Sequence, residues 1–215
     1  PREPPPVGSI CGTRTVNAST MAEFRSALSN ALPGDCIVLA AGTYSSGSSD
    51  LYIATSGTVS APIVVQGAGS STVIDANLRG LWVTASYFQL RKLRLTHFGG
   101  SGIDFSGVTD VVIDSVEVDH SDLEAMRIGY TSRNVVVKNS WFHDTGVAWP
   151  EYGEGIYIGK YNAAAADQPK DIQVLNNRFG PNLRAEGVDV KYGSDRILIQ
   201  NNVFDGTGAW YIAGN

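Results

Sequence analysis

Apolar and polar residues alternate along most of the chain in short runs, and these runs recur. Similar runs begin at Val111, Val135, Ile172 and Ile197, and a weaker one begins at Phe88. They recur about every 24 residues, except for one longer interval that holds two loops. Alternation over about four to eight residues is typical of a β-strand with one buried face. The sequence therefore predicts a repeated strand.

A second set of shorter alternating strands lies between these runs. Its members begin at Gly80, Gly102, Ala125, Gly155, Gly187 and Ala209. A unit of about 24 residues with two or three short strands cannot bury its own apolar face, but stacked copies bury it between them. We therefore predict an all-β, right-handed parallel β-helix of about six coils, with equivalent positions about 4.8 Å apart on successive coils. The coils are expected at 35–215 of a single domain, 1–215.

Asparagine marks the middle of the repeat. Asn139, Asn176 and Asn201 occupy the same position in three successive units. Asn tolerates a left-handed backbone, and its side chain can hydrogen-bond along a stack. We therefore expect a left-handed turn residue at each of these positions.

One segment near the N-terminus follows a helical pattern instead. Residues 19–32 begin with a Ser-Thr pair and are followed by Pro-Gly, which are typical helix start and stop signals. The apolar positions of this segment are Met21, Phe24, Leu28 and Leu32. We expect an amphipathic helix that covers the strand edge of the first coil, with residues 1–18 as an extended leader.

The C-terminal end carries no comparable cover in the sequence. The chain stops shortly after Ala209, where a strand of another coil begins. An open β-helix end exposes unpaired backbone groups and invites aggregation. We therefore expect a second chain or a further C-terminal segment to cover this end.

Charge and cysteine content narrow the classes of function. The net charge is −5 and 17% of residues are charged, so a nucleic-acid binder, which needs a basic face, is excluded. No run of about 20 apolar residues occurs, so we predict no membrane span. Cys11 and Cys36 both lie near the N-terminus, and we expect a disulfide between them. A disulfide implies an oxidising compartment, and hence a secreted protein.

Polar residues concentrate on the outward face of the second strand set. In the predicted register, one outward column contains Asp104, Arg127, Tyr157, Asp189 and Tyr211. The structural alternative is that each of these residues is an ordinary polar residue on a solvent-exposed surface. The functional alternative is a substrate-binding face, in which Tyr157 and Tyr211 contact the ligand and Arg127 clamps a carboxylate by a bidentate pair.

A neighbouring column, one residue before these strands, holds three glutamates. Glu124, Glu154 and Glu186 fall on successive coils. Like charges about 5 Å apart oppose one another unless a cation lies between them. Calcium suits such a site because it takes several oxygen ligands. We predict a calcium site formed by Glu154, Glu186 and Asp189.

The turns that lead into the second strand set hold all three histidines. His97 and His120 share one column, and His143 falls in the column before it. His120 and His143 are candidate catalytic groups, and Trp149, on the longest loop, is a candidate substrate-binding residue, because loops on a rigid scaffold commonly carry sites. The structural alternative is that the histidines complete hydrogen bonds in turns and that Trp149 holds its loop.

The chain also resembles a known family. The segments FRSALSNALPGDCIVLAAGTY and APIVVQGAG are similar to the N-terminal cap and first coil of right-handed β-helix proteins in the pectate-lyase-like superfamily. The likeness extends to polysaccharide lyases of the chondroitinase B and alginate lyase type, because Glu186 precedes Lys191 by five residues and an Asn-Asn-x-Phe strand end follows. This resemblance implies that Glu186 binds calcium and that Lys191 is the catalytic base.

Two positions depart from the pattern of that family. Arg184 stands where the resemblance implies a second glutamate, and Ala213 stands near the position of the family's catalytic arginine. The departure at Ala213 and the uncovered C-terminal end favour an alternative function, a non-catalytic β-helix module that binds glycans or is structural and is completed by another chain or segment.

Pattern and resemblance together predict a secreted lyase that cleaves an acidic, uronate-containing polysaccharide by calcium-assisted β-elimination. Lys191 would be the base and Arg127 the carboxylate clamp. Tyr157, Tyr211 or a histidine is the candidate proton donor to the leaving oxygen. A C5-epimerase, which begins with the same proton abstraction, is the alternative among enzymes.

Overall fold

The chain folds into a parallel β-helix of about seven coils. A computed structural model describes residues 11–12, 14–47, 49–76, 80–160 and 168–208. Its strands form a 13-stranded sheet and a 6-stranded sheet, and strands of successive coils pair in parallel. The all-β solenoid predicted from the two strand sets is thereby confirmed.

The elements follow one another in short pieces. They are β1 (Arg14–Ala18), α1 (Met21–Ser29), β2 (Asp35–Leu39), β3 (Gly42–Ser45), β4 (Leu51–Ile53), β5 (Ile63–Gln66), β6 (Thr72–Asp75), β7 (Leu81–Val83), β8 (Phe88–Phe98), β9 (Ile103–Ser106), β10 (Thr109–Ser121), β11 (Met126–Gly129), β12 (Arg133–Lys138), β13 (Trp141–Thr145), a 3-10 turn (Pro150–Tyr152), β14 (Ile156–Ile158), β15 (Lys170–Leu175), β16 (Arg178–Phe179), β17 (Val188–Val190), β18 (Asp195–Gln200) and β19 (Val203–Phe204). The 6-stranded sheet has the order β17-β14-β11-β9-β7-β4.

The predicted register of the long strand set is confirmed. Val111 pairs with Phe88 on one side and with Val135 on the other, and Ile172 pairs with Val135 and Ile197. The structure has about seven coils, close to the predicted number of about six.

The asparagine column adopts the expected left-handed backbone. The φ angles of Asn139, Asn176 and Asn201 are 53°, 55° and 57°. The adjacent column supplies a side-chain ladder, since the backbone amide of Asn177 donates to the Asn202 carboxamide oxygen at 2.8 Å. These contacts fix the same turn on successive coils.

The inward residues of the short strands belong to the core of the solenoid, together with those of the long strands. Ile103, Met126 and Ile156, for example, are fully buried, in agreement with the predicted alternation. Val190 was expected inward as well, but it is 42% exposed. The cause is that β17 is the last strand in the described part of its sheet, so no further described strand lies against it.

The N-terminal region covers the first coil as predicted. The helix is shorter than the expected 19–32, because Thr20 caps α1 through a capping box with Glu23 and Asn30 ends it. Phe24, on the inner face of α1, is fully buried, whereas Leu32 lies beyond the helix and is 57% exposed. Part of the expected extended leader is β1, which pairs with β2.

The predicted disulfide joins Cys11 to Cys36 and fastens the segment before β1 to the buried strand β2. Cross-linking a loop of about 25 residues stabilises a folded chain by roughly 3 kcal/mol. Within the described residues, no helix is long and apolar enough to span a membrane.

Candidate functional site

The 6-stranded sheet aligns the polar residues of its outward face. Register pairs Asp104 with Arg127, Arg127 with Tyr157, and Tyr157 with Asp189. These four residues form the predicted outward column, and its fifth member, Tyr211, lies outside the described residues. Because side chains alternate strictly along a strand, all four residues project to the same side of the sheet.

The glutamate column lies beside it, as the sequence predicts. The amide of Ala125 donates to the Glu154 carbonyl at 2.9 Å, and the amide of Gly155 donates to the Glu186 carbonyl at 2.9 Å. The ladder therefore extends past the strand ends and stacks the glutamates on successive coils.

Three carboxylates converge where the two columns meet. One oxygen from each of Glu154, Glu186 and Asp189 lies within 4.8 Å of the other two. Glu154 is only 4% exposed, and its Oε2 has no hydrogen-bond partner among the described residues. Burial, together with the negative charges of Glu124, Asp189 and Glu186, raises the pKa of Glu154 to about 7. The cluster therefore holds more negative charge than its own hydrogen bonds compensate.

This donor set fits a hard divalent cation. Carboxylate oxygens are the ligands that calcium prefers, and an orphaned buried oxygen gains a partner when such an ion binds. Arg184, the departure from the family pattern, adds no ligand. Its guanidinium donates to the carbonyl of Gly208 at 3.1 Å instead. Glu154 and Asp189 therefore supply the carboxylates that accompany Glu186.

Lys191 follows β17 directly and lies next to this cluster. Its ammonium forms an ion pair with Asp189 and lies 5.1 Å from the centroid of the Tyr157 ring. Burial lowers the pKa of Lys191, but the hydrogen bond and charge of Asp189 outweigh it, so that the pKa lies above its usual value. Without a cation in the cluster, Lys191 is therefore held in its charged form.

Arg127 is fixed by carboxylates on both sides. Its Nη2 donates to Asp104, which is 3% exposed, and its Nε lies 3.8 Å from Glu124. Glu124 is also buried, and it accepts a hydrogen bond of 2.9 Å from Ser101. These contacts orient the guanidinium on the outward face of β11.

A cleft of about 360 Å³ opens over β11 and β14. Its walls combine part of each column with residues from the flanking turns, whereas Glu186, Asp189 and Lys191 lie outside its lining. It is lined by Leu123, Glu124, Arg127, Gly129, Tyr130, Tyr152, Glu154, Tyr157, Gly159 and Lys160. Tyr130 and Lys160 were not predicted as site residues, because each follows a strand and belongs to no obvious sequence column.

The histidine corner forms a separate cluster on the 13-stranded sheet. The predicted columns are present, since the rings of His97 and His120 lie 5.3 Å apart and His143 pairs in register with Asp119. Asp119 accepts hydrogen bonds of 2.6 Å from both Arg94 and His120. Neither His120 nor His143 lines the cleft.

Carboxylates also surround the third histidine. His143 Nδ1 lies 2.5 Å from Asp144 and its Nε2 lies 3.4 Å from Glu117. One oxygen of Glu117 and one of Asp119 could join His143 in holding a metal ion. The Arg94 guanidinium, whose Nε lies 3.3 Å from Glu117 and 2.6 Å from Asp119, already supplies a cation there.

The remaining predicted binding residues lie elsewhere. Trp149 is 56% exposed on the loop that also carries Tyr152, but it does not line the cleft. Tyr211 and Ala213 lie outside the described residues.

Comparison with known proteins agrees with this architecture. A family model described as a right-handed β-helix region matches residues 42–204. The chain belongs to the right-handed β-helix family. Its expected place in the pectate-lyase-like superfamily is also confirmed by the matching structures. No curated protein sequence matches the chain.

Three solved β-helix structures illustrate the range of similar proteins. An alginate lyase from Paenibacillus sp. str. FPU-7 is 31% identical, with a TM-score of 0.85 over 91% of this chain and 68% of the lyase. Pectate lyase Pel9A is 17% identical, with a TM-score of 0.76 over 95% of this chain and 56% of Pel9A. PfbA, a surface adhesin of Streptococcus pneumoniae, is 14% identical, with a TM-score of 0.63 over 92% of this chain and 66% of PfbA. The chain thus spans between about half and two thirds of these proteins.

Proposed function

We propose that this protein is a secreted polysaccharide lyase that cleaves an acidic, uronate-containing polysaccharide by cation-assisted β-elimination. The observation that carries the proposal is the convergence of Glu154, Glu186 and Asp189 within 4.8 Å, directly beside Lys191. The 31% identity to an alginate lyase supports the same reaction class, and the Cys11–Cys36 disulfide fits a secreted protein.

The difficulty of the reaction lies in removing a weakly acidic proton. That proton is bound to the carbon next to the uronate carboxylate, so its removal adds negative charge beside an anion. Glu154, Glu186 and Asp189 would hold calcium. The bound ion supplies electrostatic neutralisation of the substrate carboxylate and of the charge that develops on it.

Lys191 is the proposed base for this proton. A neutral amine at Lys191 takes the proton, the C–H electron pair forms the new C=C bond, and the bond to the glycosidic oxygen breaks. The ion pair with Asp189 opposes this role while the cluster is empty of cations, because it holds Lys191 charged. When the Asp189 carboxylate is shared with a bound cation, that opposition weakens.

Tyr157 is the proposed proton donor to the leaving oxygen. It projects from the strand next to β17, and its ring lies 5.1 Å from the Lys191 ammonium. A phenol remains protonated at neutral pH and can donate as the glycosidic bond breaks. Of the donors proposed from sequence that the structure describes, Tyr157 lies beside Lys191, whereas His120 and His143 belong to the separate cluster on the 13-stranded sheet.

Arg127 would hold and orient the substrate. Its guanidinium lines the cleft and is fixed by Asp104 and Glu124, so little side-chain freedom is lost when a ligand binds. It could donate to a substrate carboxylate or hydroxyl with the N–H groups that Asp104 does not engage.

The adhesin PfbA has the same fold, and two positions depart from the lyase pattern, so a non-catalytic glycan-binding module is the second candidate. Mass spectrometry of products from alginate, pectate and chondroitin, each incubated with calcium in D2O, separates the functions. A lyase yields oligosaccharides that lack one water relative to hydrolysis products. Uncut polymer with deuterium incorporated at the carbon next to the carboxylate would indicate an epimerase. Uncut and unlabelled polymer in all three incubations would favour the binding module.

A further inference from the structure

The cleft has two edges that differ in the chemistry of their side chains. Glu124 and Glu154 stand two residues before the paired strands β11 and β14, whereas Tyr130 and Lys160 follow these strands. The strand Ile156–Ile158 lies between these edges, and its three residues span roughly 10 Å. The edges are therefore farther apart than the width of a single sugar ring, and a polymeric ligand that fills the cleft contacts both of them.

The second edge is a short column of its own. Ile128 pairs with Ile158, and Ile158 pairs with Val190. The residues two positions after these three paired residues are Tyr130, Lys160 and Tyr192. Tyr130 is 51% exposed and Tyr192 is 80% exposed. Lys160 therefore lies between aromatic residues of the neighbouring coils.

Lys160 also differs from the other cations of the site in its charge environment. Arg127 is bound by Asp104 and Glu124, and Lys191 is bound by Asp189. Lys160 is exposed at the cleft and makes no ion pair with any residue that the structure describes. Its charge is thus available to an anionic ligand without first breaking a described ion pair.

We propose that Lys160 forms a second carboxylate-binding subsite, for a uronate other than the one at the Glu154–Glu186–Asp189 cluster. The preferred ligand then carries carboxylates on sugars that reach both edges of the cleft, as continuous polyuronates do. This inference rests on the proposed uronate substrate, but it concerns binding and not the elimination step.

Isothermal titration calorimetry with calcium-loaded protein tests the subsite. All proteins carry Lys191→Ala, so that the ligands are not cut, and the ligands are disaccharides and hexasaccharides from alginate and polygalacturonate. Lys160→Gln is compared with Lys92→Gln, which removes one positive charge from an exposed site outside the cleft lining. Lys160→Arg keeps the charge.

The expected result is a Kd for a hexasaccharide that is about threefold to tenfold weaker in Lys160→Gln, as loss of one exposed ion pair predicts. Lys92→Gln and Lys160→Arg should bind like the parent, and the disaccharide should bind all four proteins equally. Equal hexasaccharide binding by Lys160→Gln and Lys92→Gln, an equal loss with the disaccharide, or no oligouronate binding by the parent would each overturn the subsite.

The two proposals fail in different ways. If hexasaccharide binding depends on Lys160 but the protein with Lys191 intact forms no unsaturated product, the lyase proposal is contradicted and the subsite is retained. Unsaturated product together with unchanged binding in Lys160→Gln contradicts the subsite alone.

Discussion

The ammonium of Lys191 lies 5.1 Å from the centroid of the Tyr157 ring, across the ladder that pairs β17 with β14. Two groups that can exchange a proton with a substrate thus project beside one another from adjacent coils. The three-carboxylate cluster lies next to both, because Asp189 belongs to the Tyr157 column and pairs with Lys191. The β-helix repeat is what places these groups together, although about 34 residues of sequence separate them.

Replacing Lys191 with alanine should abolish turnover and leave the fold intact. General-base catalysis contributes about 10²- to 10⁴-fold, so we expect a loss of at least ~100-fold in kcat. Steady-state kinetics on a cleaved polymer, with circular dichroism as a check on folding, measures this. Lys92→Ala, at an exposed lysine outside the cleft lining, should keep parental kcat. Near-parental turnover in Lys191→Ala would assign the base elsewhere.

Tyr157→Phe removes the phenolic proton and keeps the ring beside Lys191. If Tyr157 protonates the leaving oxygen, kcat should fall by about 100-fold, whereas KM should change little. Tyr52→Phe makes the same change on β4 of the same sheet, outside the cleft lining, and should behave like the parent. A parental kcat in Tyr157→Phe would show that another group donates the proton.

The buried carboxyl of Glu154 should make the stability of the metal-free protein depend on pH. Its pKa rises from an ordinary 4.5 to about 7 on folding. A carboxyl with a raised folded pKa contributes stability below its unfolded pKa and loses it as pH rises through its folded pKa. In chelator, the free energy of unfolding should therefore fall between pH 5 and pH 8, by at most about 3 kcal/mol.

Urea denaturation at several pH values in chelator measures this slope. Glu154→Gln should flatten it, whereas Glu151→Gln, at an exposed glutamate of the neighbouring loop, should keep it. Calcium should restore stability at pH 8, since it binds the ionised form. A metal-free protein that is equally stable at pH 5 and pH 8 would contradict the burial of an uncompensated carboxyl.

Glu186→Ala should act mainly through the cation. Removing one of three carboxylates weakens a calcium site without touching Lys191, so the calcium concentration for half-maximal rate should rise about tenfold or more. Titrating calcium into chelator-treated protein gives this concentration, and Glu151→Ala is the matched control. If Glu186→Ala keeps the parental calcium requirement, Glu186 is not a ligand.

Much of the site was predictable because it follows the period of the repeat. Alternation sets which face each residue takes, and a constant repeat length sets which residues stack. The sequence alone therefore predicts both outward columns, one with Asp104, Arg127, Tyr157 and Asp189 and the other with the glutamates. Loop insertions did not disturb them, since each loop returns to the same register.

Side-chain partners were less predictable than columns. Nothing in the alternation indicates that Asp104 binds Arg127, that Asp189 binds Lys191, or that Arg94 occupies the acidic corner beside His143. Such pairings depend on side-chain rotamers, which the alternation does not specify, whether the partners are two residues apart, like Asp189 and Lys191, or on adjacent coils. Lys160 was missed for a related reason, because it follows a strand, where the periodic pattern ends.

The formation of unsaturated uronate ends tests the central claim most directly. Their absorbance is followed while chelator-treated protein is incubated with alginate, pectate or chondroitin, before and after calcium is added. Lyase chemistry predicts no increase in chelator, an increase with calcium on at least one polymer, and none with Lys191→Ala. No increase on any of the three polymers in the presence of calcium would contradict the proposed lyase.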